Sequence, residues 1–388
     1  MSVTGIIAEF NPLHTGHKFL IDEAKEKGAV VCVISGNFVQ HGDTAIYEKQ
    51  LRAQSALLCG ADLVLELPVC YSMSTAQNFA LGSVSLLDAV GCDTLMFGSE
   101  SGSISDLVET SNILQSEKFS KTLTPYLEKG MTFAAARQKA AEDSGAPKGI
   151  LSGANNNLGI EYICAAKAIN SKMKFKTVSR QGVWHDSDDM NKDFASASAL
   201  REKIKQGEFS ACERYFPKEV VKLFKTADFS DISRIESAIL ASLRTKEQAS
   251  LETLPDLSEG VENKLFTQIK LANSLGDLYN GMKVKRYTMA RIRRLVLSAF
   301  LSVDNSMFLK APPYLRVLGF NKTGEEIVRQ NAKNSRIPVI MRVNEIDNLG
   351  EDAKKVFEAE CRATDLYALS LKRPFECSLE YTRPLIKL

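Results

Sequence analysis

The sequence predicts an α/β protein, with a doubly wound parallel-sheet domain followed by a mainly helical C-terminal domain. Three observations predict it. The first hundred residues alternate short apolar runs with helix-like segments. The apolar runs are continuous, as in strands buried on both faces. After about residue 210 the alternation stops. The expected division is therefore residues 1–210 and 211–388.

Residues 3–10 form an apolar, partly β-branched run that ends in Asn11-Pro12. Residues 17–27 fit a helix, with Phe19, Leu20 and Ala24 on one side. Residues 29–34 (AVVCVI) read as a second strand, closed by Ser35-Gly36-Asn37. Residues 47–58 are helical, and residues 62–67 (DLVLEL) read as a third strand, stopped by Pro68. A long helix over 72–90 leads to a fourth strand at 94–97. Residues 105–150 look mainly helical. The run Gly153-Ala154-Asn155-Asn156-Asn157 reads as a turn before a helix at 158–169, and 174–179 as a fifth strand. Ser196 begins a helix over 196–206 and is suited to cap it. Residues 211–310 read as helical and 311–388 as mixed.

Right-handed crossovers join such strands into a sheet covered on both faces, and ligands bind at the strands' carboxyl ends. The segments there, 11–17, 35–43 and 98–102, are rich in Gly, Asn, Ser and His.

Composition narrows the function classes. The chain has 388 residues, 44% hydrophobic and 25% charged, with a net charge of +2. It is not a general electrostatic binder of nucleic acid. No run approaches the roughly 20 apolar residues of a membrane span, and the N-terminus lacks the basic start of a secretory signal. A cytoplasmic protein is expected. The eight cysteines include no C-x-x-C pair, so free thiols in a reducing compartment are expected, without a structural metal. Residues 283–294 carry six cations, Lys283, Lys285, Arg286, Arg291, Arg293 and Arg294, and no acid. This stretch reads either as an RNA-backbone contact or as a helix face balanced by acids such as Glu259 and Glu262. Arg316 and Lys322 could extend it.

The strongest chemical signal is Asn11-Pro12-Leu13-His14-Thr15-Gly16-His17 between a strand and a helix. A helix N-terminus offers unpaired N–H groups and positive dipole to phosphates. Imidazoles can bond phosphate oxygens, Gly16 permits close approach of a ligand, and Pro12 fixes the turn.

This motif resembles the (D/N)-P-x-H-x-G-H signature of the HIGH-type nucleotidyltransferase superfamily. A closer resemblance covers most of the chain. It rests on the segment Glu9–His17, on Ser35-Gly36-Asn37-Phe38, on 61–68 and on Phe97-Gly98-Ser99-Glu100-Ser101-Gly102. It continues through Asn155-Asn156-Asn157-Leu158-Gly159 and Lys285-Arg286-Tyr287-Thr288. Together these are similar to the bacterial tRNA(Met) cytidine acetate ligases. The resemblance implies a HUP/Rossmann-like ATP-binding domain. It implies that ATP and acetate form acetyl-adenylate and pyrophosphate; a divalent cation, expected to be Mg²⁺, would neutralise the triphosphate. The acetyl group then passes to N4 of the wobble cytidine of elongator tRNA(Met). It also implies that His14 and His17 act at the phosphates. The implied ATP site comprises Ile7, Glu9, Asn11, Pro12, His14, Gly16, His17, Leu20, Gly102, Asn155 and Arg180. Which of Asn155–Asn157 faces the nucleotide stays open.

Ser196-Ala197-Ser198-Ala199-Leu200-Arg201 resembles, imperfectly, the superfamily's second phosphate-binding signature. That reading places Ser196 and Arg201 at the departing phosphates, whereas capping alone also explains Ser196. Asp43, Lys49 and Arg52 are either substrate contacts or a solvated helix face. His41 lines the acceptor pocket or is merely exposed. His185-Asp186 could pair, with Asp186 orienting the imidazole as a base for the acceptor amine and Trp184 stacking on a nucleobase, or is an ordinary loop. The competing readings are a small-molecule adenylyltransferase and a nonenzymatic RNA-binding relative. The intact first motif argues against the latter, and no K-M-S-K-S segment points to a tRNA synthetase.

Overall fold

The computed structural model describes residues 1–179, 196–258, 260–284, 287–333 and 335–388. Ten strands are formed among them: β1 (Val3–Ala8), β2 (Ala29–Ser35), β3 (Phe38–Val39), β4 (Asp43–Thr44), β5 (Leu63–Leu67), β6 (Thr94–Ser99), β7 (Lys174–Ser179), β8 (Leu315–Phe320), β9 (Val339–Ile340) and β10 (Ile386–Lys387). The main sheet runs β10-β8-β5-β2-β1-β6-β7, with β9 beside β8. Every pairing in it is parallel except β5 with β8.

The apolar runs place side chains alternately on the two faces. Val31, Val33, Leu63 and Leu65 enter one core, and Val30, Cys32, Ile34 and Val64 enter the other. Both faces are covered by helices: α1 (Thr15–Lys25) and α2 (Lys49–Leu58) pack on one, and the helices Ala76–Ala89 and Ala154–Ala168 on the other. The chain builds β1, β2 and β5 outward on one side of β1, then returns to build β6 and β7 on the other. The reversal between β1 and β6 is the position where such sheets bind ligands.

Four details differ from the sequence reading. Residues 72–90 are not one helix: a short helix Val69–Ser72 precedes a longer one, Ala76–Ala89, capped by Thr75. The hairpin β3–β4 is new, its strands being too short to show periodicity. The three asparagines lie inside the first turn of the helix Ala154–Ala168, not before it. The sheet also crosses the expected boundary at residue 210, because β8, β9 and β10 belong to it. No helix of the described residues is long and apolar enough to cross a membrane.

A buried charge network ties the late strands to the early ones. Lys49 of α2 is fully buried and pairs with Glu66 of β5, with Glu360 at 3.0 Å and with Glu380 at 2.7 Å. Arg316 of β8 pairs with Glu66 at 3.0 Å and with Glu380. Glu360 lies on the helix Glu351–Ala368 and also accepts from the Val69 N–H at 2.7 Å. The expected choice for Lys49, substrate contact or solvated face, and the surface role for Arg316 are thus both corrected. Their carboxylate partners come from distant segments.

Three carboxylates meet two cations here. Burial, reinforced by the neighbouring Glu66, pushes the Glu360 carboxyl up to about 8, so it keeps a proton near neutrality. Burial would also raise Glu380, but Lys49 and Arg316 override it and hold that carboxyl at about 2.

Lys49→Met is expected to destabilise the fold by about 3–5 kcal/mol, the usual cost of orphaning buried charge, measured by urea denaturation. Glu360 binds its proton more tightly folded than unfolded. Its contribution is full below its ordinary value of 4.5 and is lost as pH rises through about 8. Between pH 5 and 8.5 the urea midpoint should therefore fall more for the unsubstituted chain than for Glu360→Gln.

Candidate functional site

The chain leaves β1 at Ala8 and turns sharply, with Phe10 at φ +46° and a cis Asn11–Pro12 bond. Polar contacts hold this loop. The Asn11 side-chain oxygen accepts from the Ile46 N–H at 2.7 Å. Glu9 Oε1 accepts from the Gln40 N–H at 2.9 Å. Arg52, fully buried on α2, donates to the carbonyls of Tyr47 (2.8 Å), Glu9 (2.7 Å), Ser35 (3.0 Å) and Gly36. One guanidinium fork thus joins the ends of β1 and β2. Burial pulls its pKa down to about 10, leaving it charged at neutral pH. The expected choice for Arg52, substrate contact or solvated face, is corrected to this structural role.

His14 is the N-cap of α1. Its Nδ1 accepts from the Gly16 N–H at 3.0 Å, and its own N–H donates to His17 Nδ1 at 3.3 Å. Two imidazoles therefore form a reciprocal capping box. Their ring centroids lie 3.9 Å apart, and Phe10 packs edge-on against His17 at 5.2 Å. A neutral imidazole accepting at Nδ1 carries its proton on Nε2. The cap thereby fixes the tautomer and makes each Nε2–H a donor. The sequence assigned Gly16 to ligand approach; a Cβ there would lie 3.0 Å from the His14 ring, so the glycine also makes room for the capping imidazole.

Across the β1–β6 reversal, a second loop is built on β6. Gly102 has φ +64° and donates its N–H to Ser99 Oγ at 3.0 Å. Glu100 is the residue the sequence reading missed. Its carboxylate accepts from the Asn155 N–H (3.0 Å), the Asn155 side chain (2.6 Å) and the Asn156 N–H (2.7 Å) at the start of the helix Ala154–Ala168. Asn156 accepts in return from the Glu100 and Ser101 N–H groups at 3.0 and 3.1 Å. Burial opposes the Glu100 charge, but these hydrogen bonds prevail and lower its pKa. An acid one residue before Ser101-Gly102 and a run of asparagines were the available signals.

Arg201 comes to the first motif from a distant helix, Ala197–Lys205. It donates to the Asn11 carbonyl at 2.8 Å and to Ser198 Oγ at 3.0 Å. Ser196 caps that helix through the Ala199 N–H at 3.1 Å. Ile7 belongs to one core, and Leu20 packs against the other. Arg180, Trp184, His185, Asp186, Glu259, Lys285 and Arg286 lie outside the described residues.

The basic helix Met289–Leu301 carries Arg291, Arg293 and Arg294. Among the described residues its acid partner is Asp256, which lies 3.4 Å from both Arg291 and Arg294. Arg294 also donates to the Gln40 carbonyl at 3.2 Å. Lys283 and Lys322 are exposed. Among the described residues, no group of three or more His, Cys, Asp or Glu is arranged to hold a metal ion.

Known proteins match the chain over its whole length. The family model described as HIGH Nucleotidyl Transferase matches residues 1–380. A tRNA(Met) cytidine acetate ligase of Thermoanaerobacter sp. (strain X514) is 37% identical, with both chains covered completely. One from Caldanaerobacter subterraneus subsp. tengcongensis is 38% identical, again over the full length of both. The crystal structure of apo Thermotoga maritima TmcAL superposes with a TM-score of 0.92 at 28% identity over all of both chains. The form bound with alpha-thio ATP gives 0.89 at the same identity and coverage.

Arg52→Lys keeps the charge but loses the fork that spans several carbonyls. It is expected to cost about 2–4 kcal/mol in chemical denaturation. A loss under about 0.5 kcal/mol, the usual range for a surface substitution, would show that the fork does not hold the two loops.

Proposed function

Because this chain belongs to the HIGH nucleotidyl transferase family and, within it, to the tRNA(Met) cytidine acetate ligases, we propose that it activates acetate with ATP and acetylates N4 of a tRNA(Met) cytidine. The observation that carries the reading is the paired-histidine cap at the N-terminus of α1, beside the β1–β6 reversal.

In the first step an acetate oxygen attacks the α-phosphorus of ATP. Acetyl-adenylate forms and pyrophosphate leaves. His14 and His17, held as Nε2–H donors by their mutual cap, bond the oxygens where negative charge builds. Arg201 already touches the Asn11 carbonyl, and its guanidinium suits the departing pyrophosphate. The Gly102 turn and Asn155, ordered by Glu100, flank the other side of the crevice. Mg²⁺, if bound, would supply charge that neutralises the triphosphate.

In the second step the cytidine N4 attacks the acetyl carbon and AMP leaves. Free acetate is a poor electrophile, and N4 is a weak nucleophile because its lone pair is delocalised into the ring. Activation and positioning supply what the reaction needs. Residues 211–388 contribute the RNA surface in this reading. Lys283, Arg291, Arg293 and Arg294 would neutralise backbone phosphates, together with Lys285 and Arg286.

ATP–pyrophosphate exchange tests the first step. It should require acetate and fall by about 10²–10³ in His14→Ala, as for loss of a donor to developing charge. Exchange supported only by a nucleotide or phosphopantetheine acceptor would favour a small-molecule adenylyltransferase. For the second step, replacing Arg293 by Ala should weaken tRNA binding and reduce the salt slope by about one unit.

A further inference from the structure

The hairpin β3–β4 lies between the first motif and the basic helix. Its turn, residues 40–42, is held on both sides. On one side the Gln40 N–H donates to Glu9 of the first motif at 2.9 Å. On the other, the Gln40 carbonyl accepts from Arg294 of the basic helix at 3.2 Å. Gly42, at φ +73°, packs directly on that helix: a Cβ there would lie 2.6 Å from Arg293 Cβ and 2.7 Å from the Arg294 backbone nitrogen. The Gln40 side chain donates to the Ser74 carbonyl at 3.2 Å, which braces the turn from a third direction. Between these anchored neighbours stands His41, which is exposed.

Acyl transfer requires the acceptor nitrogen to approach the acetyl carbon to about 3–3.5 Å. The acyl-adenylate belongs beside the first motif, and the RNA belongs on the basic helix. The turn touches both. We propose that residues 40–42 guide the acceptor base into the site, and that His41 takes the amine proton during transfer. This rests on the function proposed above. The N4 lone pair forms a bond to the acetyl carbon. The bond from that carbon to the AMP oxygen breaks, and AMP leaves with the electron pair. N4 gives up one proton to the His41 imidazole, and N4-acetylcytidine and AMP are the products. Adenylate formation needs no such base, so the two half-reactions separate the role of His41 from that of His14 and His17.

The test uses the full chain with His41→Ala and His41→Gln, ATP, acetate and an unmodified tRNA(Met) transcript. Three quantities are read: acetate-dependent ATP–pyrophosphate exchange, the tRNA Kd by filter binding, and the single-turnover rate of acetyl transfer. Exchange and Kd should stay within about twofold, while transfer falls by about 10²–10⁴, the range for loss of a general base. Retained exchange shows that the variants are folded. Unchanged transfer would overturn the proposal. So would exchange and transfer falling together, or a loss explained by weaker tRNA binding. Absence of acetate-dependent exchange in the unsubstituted chain would overturn the underlying reading, and the proposal with it.

Discussion

The buried network of Lys49, Arg316, Glu66, Glu360 and Glu380 is the constraint on which the rest of the site depends. A lone charge in that position would be prohibitively costly, so each member requires the others. Lys49 sets α2 against the sheet, Glu66 belongs to β5, and the remaining three come from the last quarter of the chain. Gly36 leaves the space the carboxylates occupy; a Cβ there would lie 2.7 Å from Glu360 Oε1. The network thus fixes α2 and the end of β2 together. Three residues beyond Lys49, almost one helical turn on, Arg52 uses that fixed position to hold the carbonyls of Glu9, Ser35 and Gly36. The signature loop therefore inherits its geometry from a network that includes the C-terminal segment.

This dependence explains how a loop without regular structure can present two imidazoles in one orientation. A preorganised donor is worth more than a mobile one, because little reorganisation remains when charge develops. Here the preorganisation is layered. The capping box fixes the tautomers, Asn11 and Arg201 fix the turn, and Arg52 fixes the strand ends. Opposite, the Glu100 carboxylate occupies the start of the helix Ala154–Ala168 and locks the β6 loop. Two helix starts stand at the carboxyl ends of β1 and β6, one capped by histidines and one by an acid.

What was legible in the sequence was local. Continuous apolar runs gave β1, β2, β5 and β6, and the first motif lay between a strand and a helix as read. What was not legible depended on distant partners. Lys49 and Arg52 look solvent-facing on a helix because buried Lys and Arg are rare unless paired, and the acids that pair Lys49 include Glu360 and Glu380, some three hundred residues away. β8 was hidden in a segment read as mixed, since its pairing with β5 is antiparallel and long-range. Asp256 was overlooked as the partner of Arg291 and Arg294 because it lies outside the basic stretch. Glu100 was visible as part of a motif, but its bond to Asn155 required the fold.

The most direct test of the account is nucleoside mass spectrometry on tRNA(Met) incubated with the protein, ATP and ¹³C-labelled acetate. The account predicts labelled N4-acetylcytidine, with AMP and pyrophosphate formed alongside it. Unlabelled tRNA, or label accompanied by ADP instead of AMP, would contradict an adenylate route through the paired histidines.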